Sequence, residues 1–174
     1  MEFATGQSNG GMMTYQLGAS LSHRLAAIAP ISGSMHWAHV VEPESPIPVF
    51  AVTGTADTSV PGNGTADGKT TDGTWWYTSM DKLADMWTAA QGGDGVSSQY
   101  NTMYDGVHDL WCKSVHSNID HVLCSWNGEH NYFGGINEKY IYTCDPENLD
   151  ETYHENGFLV WEFFSKQSRS NVLV

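Results

Sequence analysis

Apolar positions along this chain follow two patterns, and the alternation between them outlines a fold. Leu25 to Ser32 and Ile47 to Thr53 are continuous apolar runs of strand length, each closed by Gly or Pro, as expected for strands buried on both faces of a parallel sheet. Glu2 to Gln7 is a further short strand. It runs straight into Gly6-Gln7-Ser8-Asn9-Gly10, after which Met12, Met13, Leu17 and Leu21 recur at helical spacings. Trp76, Met80, Leu83, Ala84, Trp87 and Ala90 make one helical stripe over residues 76–91, with Gly92-Gly93 as its stop signal. That stripe reads as core. His121 to Trp126 predicts another strand, and Phe158-Leu159-Val160-Trp161 with Phe163-Phe164 predicts an apolar C-terminal helix. Strands alternating with helices imply an α/β fold with a mostly parallel sheet. Residues 59–74 and 134–151 show no period and read as long loops, a length often used for lids or insertions.

Length and charge narrow the picture. At about 150 residues per domain, 174 residues make one core rather than two. The formal charge of −13, from 20 acidic side chains against 7 Lys plus Arg, repels phosphate backbones, so neither nucleic acid nor an anionic membrane surface is an expected partner. The longest apolar stretch, Leu25 to Ile31, contains Pro30 and falls far short of the ~20 residues that span a bilayer. Residues 1–6 carry neither a basic nor an apolar leader region. The three cysteines, Cys112, Cys124 and Cys144, form no Cys-x-x-Cys pair. One disulfide plus one free thiol fits that count, which by itself does not set the compartment. The single sequon, Asn63-Gly64-Thr65, adds weak support for secretion.

The candidate chemistry begins at Gly6-x-Ser8-x-Gly10. Between a strand and a helix this is the nucleophile elbow, a sharp turn in which glycines remove clashing side chains and a strained serine is raised above the sheet. The backbone N–H of Asn9 would then face the oxyanion formed when an ester carbonyl is attacked. A serine hydroxyl is a weak nucleophile near neutral pH and needs a base, and on this architecture the partners follow in the order Ser, Asp or Glu, His. Asp57 stands just beyond the strand that ends at Thr53-Gly54; Asp67 and Asp72 lie deeper in a loop. Of eight histidines, His23, His36 and His39 precede Asp57 and break the order. His108, His116 and His154 read as solvated loop positions, and His121 lies inside a strand and packs. His130, immediately after the last strand, is the expected base, with Asp57 holding its Nδ1–H. Gln7, Trp37 and Tyr132 are the expected substrate contacts. No metal site is expected: His36-x-x-His39 lacks a third ligand, and the Asp67-Gly68 and Asp72-Gly73 stretch lacks calcium-loop spacing. No cofactor is implied.

Several segments resemble the polyhydroxybutyrate depolymerase and feruloyl esterase family of α/β-hydrolases. They are Phe3-Ala4-Thr5-Gly6-Gln7-Ser8-Asn9-Gly10-Gly11-Met12-Met13, Leu25-Ala26-Ala27-Ile28-Ala29-Pro30-Ile31-Ser32-Gly33 and Ile47-Pro48-Val49-Phe50-Ala51-Val52-Thr53-Gly54-Thr55-Ala56-Asp57. Asn127-Gly128-Glu129-His130 and Val160-Trp161-Glu162-Phe163-Phe164 are similar to its closing segments, while residues 59–120 match loosely. The resemblance implies Ser8 as nucleophile, Asp57 as acid and His130 as base, a secreted location, and feruloyl, acetyl or hydroxyalkanoate-type esters as substrates. This chain departs from the family in three places. Asn131-Tyr132-Phe133-Gly134 stands where the family continues into Trp-Pro-Gly, so Tyr132 takes the place of an aromatic wall. Gly92-Gly93 stands where a disulfide cysteine is usual, leaving Cys112 to pair with Cys124 or with nothing. The family also has strands before the elbow, one of whose loops supplies a second oxyanion N–H, whereas here Met1 is only a few residues upstream. On that basis the chain is the C-terminal portion of such a fold, with strand 2–7 as an open edge suited to self-association. An inactive hydrolase fragment or interaction module is the alternative function, and a serine peptidase on the same fold is another.

Overall fold

The computed structural model describes residues 1–37, 39–65, 74–92, 110–115, 119–131 and 159–168. In chain order the elements are β1 (Glu2–Gln7), α1 (Asn9–Ser20), β2 (Leu25–Ile31), β3 (Val49–Gly54), α2 (Met80–Ala90), β4 (Leu110–Val115) and β5 (His121–Trp126), followed by a short helix α3 over 159–165. The strands form one five-stranded sheet in the order β1-β2-β3-β5-β4. All neighbours are parallel except β4 and β5. This is a mixed α/β protein with a mostly parallel sheet, as the alternation of patterns predicts.

Every residue of β2 and β3 is buried, which explains why neither run alternates polar with apolar. The period of two instead sorts their side chains between two cores. Ala27, Ala29, Ile31, Phe50, Val52, Val122, Cys124 and Trp126 face one side, where Leu159, Phe163 and Phe164 of α3 cover them. Ile28, Val49, Ala51 and Leu123 face the other, under Tyr15 and Ala19 of α1 and Leu83, Ala84 and Trp87 of α2. Trp87 is fully enclosed, edge-on to Tyr15 and donating its indole N–H to the Val41 carbonyl at 3.0 Å, so the ring is buried without leaving its N–H unpaired. Pro30 lies within β2. It has no amide to donate, and the β2–β3 ladder registers only Ile28 with Val49 and Ile31 with Val52 around it.

Three features differ from the sequence reading. The helix expected over 76–91 starts at Met80, because Ser79 is extended and its hydroxyl caps the Lys82 amide at 3.2 Å. Trp75, Trp76 and Tyr77 precede it outside the helix, and Tyr77 forms a bridge with His36. The strand expected from Ile47 starts at Val49, after Pro48. The third feature, β4, has no counterpart in the sequence reading. Leu110-Trp111-Cys112-Lys113-Ser114-Val115 puts mixed polarity on both faces and shows no alternation. It is held instead by pairing: Cys112 lies opposite Cys124 in the antiparallel register, and the two form a disulfide. Closing a loop of 12 residues this way restricts the unfolded chain and contributes about 3 kcal/mol. Cys144 lies outside the described residues, as do the loop over 134–151 and Asp67, Asp72, His108, His116 and His154.

Candidate active site

Ser8 stands between β1 and α1 with φ 57° and ψ −120°, a positive-φ conformation that costs a non-glycine residue on the order of 1 kcal/mol or more. Surrounding bonds maintain it: the Ser8 amide donates to the Ile31 carbonyl at 3.0 Å, and the Met12 amide donates to the Ser8 carbonyl at 2.9 Å. The turn is tight enough that a Cβ on Gly6 would lie 2.6 Å from the Gly10 carbonyl carbon, so only glycine fits there. Ser8 is the N-cap of α1, yet its hydroxyl caps nothing. It points at His130, with Oγ 2.8 Å from Nε2.

Asp57 follows the turn at 55–56 that ends β3 and is almost wholly buried. Its Oδ1 accepts the amides of Ser59 at 2.9 Å and Val60 at 2.8 Å, and its Oδ2 lies 2.8 Å from His130 Nδ1. Two backbone amides satisfy Oδ1, and a carboxylate only accepts hydrogen bonds, at Oδ2 as at Oδ1. The proton of the imidazole therefore sits on Nδ1, leaving the Nε2 lone pair to accept the Ser8 hydroxyl. His130 rides on the irregular segment 127–131 after β5, with its side chain one-quarter exposed. Three residues 49 and 73 positions apart in sequence thus meet at the carboxyl ends of parallel strands, the usual location for sites in open α/β sheets.

The other expected site residues have different surroundings. Asn9 is the first residue of α1, and an amide at that position has no acceptor within its own helix. It stands directly after Ser8 at a helix N-terminus with no acidic side chain in the first turn, an environment favourable to an oxyanion. Gln7, one of the expected substrate contacts, donates its side-chain N–H to the His130 carbonyl at 3.4 Å. Trp37 lies on the segment leaving β2, more than half exposed, stacked on Trp76 at 6.0 Å with Lys82 Nζ 5.6 Å from its ring. Tyr132 lies outside the described residues. His121 packs within β5, as expected, and burial lowers its pKa to about 4. His36 stacks against Tyr77 and Trp75, and no group of three metal-ligating side chains occurs among the described residues. A recess of about 380 Å³ opens beside β3, between Thr53, Asn63, Asp81, Lys113 and Ser125. Ser8, Asp57 and His130 do not line it, so the chemistry is located by the triad and not by that recess.

The arrangement sets a serine hydroxyl, an imidazole, a buried carboxylate and a helix-N-terminal amide side by side. Together these are the parts needed for acyl transfer. No family model matches the chain, and no curated protein is significantly similar to it. Sequence reasoning missed Ser32, a fully buried residue at φ 44° that donates to the Asn131 carbonyl. A Ser-Gly pair at the end of a strand was the only signal for it.

Proposed function

We propose that this chain is a serine carboxylic-ester hydrolase with an α/β-hydrolase fold, working through an acyl-enzyme. The observation that carries the reading is the hydrogen-bonded chain from Ser8 Oγ to His130 Nε2 and from His130 Nδ1 to Asp57 Oδ2, each step 2.8 Å. His130 takes the Ser8 proton as Oγ attacks the ester carbonyl, and the Asn9 N–H receives the developing oxyanion. Collapse breaks the ester C–O bond, and His130 returns the proton to the departing alcohol. Water, deprotonated by His130, then cleaves the acyl-enzyme and restores Ser8. No step calls on a cofactor. The resemblance of the elbow and the Asp57 segment favours feruloyl, acetyl or polyhydroxyalkanoate-type esters. The Cys112–Cys124 disulfide supports an extracellular location, since such bonds persist in oxidising compartments.

The test is labelling with a fluorophosphonate, in which Ser8 Oγ bonds to phosphorus as fluoride leaves. The wild-type chain is expected to label and Ser8→Ala is not. A folded wild-type chain that never labels rejects the proposal. A second role concerns β1, whose outer edge pairs with no strand among the described residues. That open edge favours self-association through residues 2–7.

A further inference from the structure

The loop that carries His130 has no regular structure of its own. Residues 127–131 are consecutive bends, so the position of the imidazole depends on what the loop is fastened to. It is fastened to the ends of three neighbouring parallel strands. At β3 the Thr55 amide donates to the Trp126 carbonyl and the Ala56 amide to the Gly128 carbonyl, both at 2.9 Å. Gly54 there has no room for a side chain, because the carbonyls of Gly128 and Glu129 pass over it. At β1 the Gln7 side-chain amide donates to the carbonyl of His130 itself, and at β2 the Ser32 hydroxyl donates to the next carbonyl, Asn131, at 3.3 Å. The β3 fastenings are backbone bonds whose close approach requires glycine at 54 and 128. The other two depend on side chains and flank the base.

We propose that Gln7 and Ser32 are positioning residues that pin the His130–Asn131 backbone and thereby set the distance from Nε2 to Ser8 Oγ. The proposal rests on the hydrolase reading above. Ser32 is fully buried in a left-handed conformation that glycine would adopt without strain, so keeping a serine there is consistent with a use for its hydroxyl. Gln7 is covalently adjacent to the nucleophile. Its bond to His130 closes a ring in which the serine and the base are tied at both the side-chain and the backbone level. Both bonds are long, each weak alone, and they act together on one short stretch of chain. Because a misplacement of about 1 Å can cost roughly a hundredfold in rate, loosening one tie is expected to cost about tenfold.

The experiment follows fluorophosphonate labelling over time in the wild type, Gln7→Met, Ser32→Ala and Ser32→Gly. It separates the limiting rate constant, the half-saturating probe concentration and the final labelled fraction. The expected result is a limiting rate about tenfold lower in all three variants, with half-saturation and final fraction unchanged. Ser32→Gly relieves the backbone strain yet lacks the hydroxyl, so its slowing separates lost positioning from lost folding. Limiting rates within twofold of wild type, or losses seen only in the final fraction, overturn the positioning role while leaving the hydrolase reading intact. A wild-type chain that never labels overturns both.

Discussion

At Asp57, two neighbouring amides decide what a substitution would do. Oδ1 already accepts the Ser59 and Val60 N–H groups, so in Asp57→Asn the amide oxygen must occupy that side and the NH2 must face His130 Nδ1. An NH2 can only donate there, which moves the ring proton to Nε2 and leaves no lone pair for the Ser8 hydroxyl. On the proposed ester-hydrolase reading, turnover is therefore expected to fall by about 10⁴ with the fold unchanged, as the same exchange does in serine hydrolases. Steady-state hydrolysis alongside circular dichroism checks this; activity within tenfold of wild type would mean that Asp57 does not set the tautomer. Ser8, Asp57 and His130 were all readable in the chain, because the elbow spacing and the Ser-Asp-His order are local or sequential signals. Gln7 and Ser32 were not readable in the same way. Their hydrogen bonds join residues 123 and 99 positions apart, and nothing in either segment names its partner.

Among the elements, those fully buried by the sheet were the most legible. β2 and β3 announce themselves as unbroken apolar runs because both faces are covered, by α3 on one side and by α1 and α2 on the other. β4 was invisible because its stability comes from the antiparallel register with β5 and the Cys112–Cys124 bond rather than from its own composition. The choice of Cys124 over no partner at all likewise required the strands to be paired. β1 carries a further expectation. Its outer edge pairs with no strand among the described residues, and open edges recruit other strands unless protected. Sedimentation velocity across a range of protein concentrations is expected to show a concentration-dependent dimer, and a monomer throughout would remove self-association from the account.

At the scale of the whole molecule, buried His121 contributes sensitivity to acid. Buried at the start of β5, it has a pKa of about 4 in the folded chain against an ordinary 6.5. The unfolded chain therefore takes up the proton first. The penalty is absent above about pH 6.5, grows as pH falls, and is complete near pH 4, amounting to something on the order of 3 kcal/mol. The charge of −13 acts in the opposite sense, since self-repulsion relaxes as carboxylates are neutralised. The comparison that isolates His121 is urea unfolding at pH 7.5 and pH 4.5 for the wild type and His121→Leu. The wild type is expected to lose on the order of 3 kcal/mol more than the variant, and equal losses would show that His121 does not carry the acid sensitivity.

The sequence by itself determined the α/β character, the turn that presents Ser8 and the chain order of Ser8, Asp57 and His130. Each of these is written in periodicity or in spacing along the chain. Only the tertiary structure decided how His130 is held, that Cys112 joins Cys124 and how β4 enters the sheet. Those outcomes depend on contacts between segments, the carboxyl ends of β1, β2 and β3 around His130 and the antiparallel β4–β5 register around the disulfide, whose energy exists only once the strands have paired.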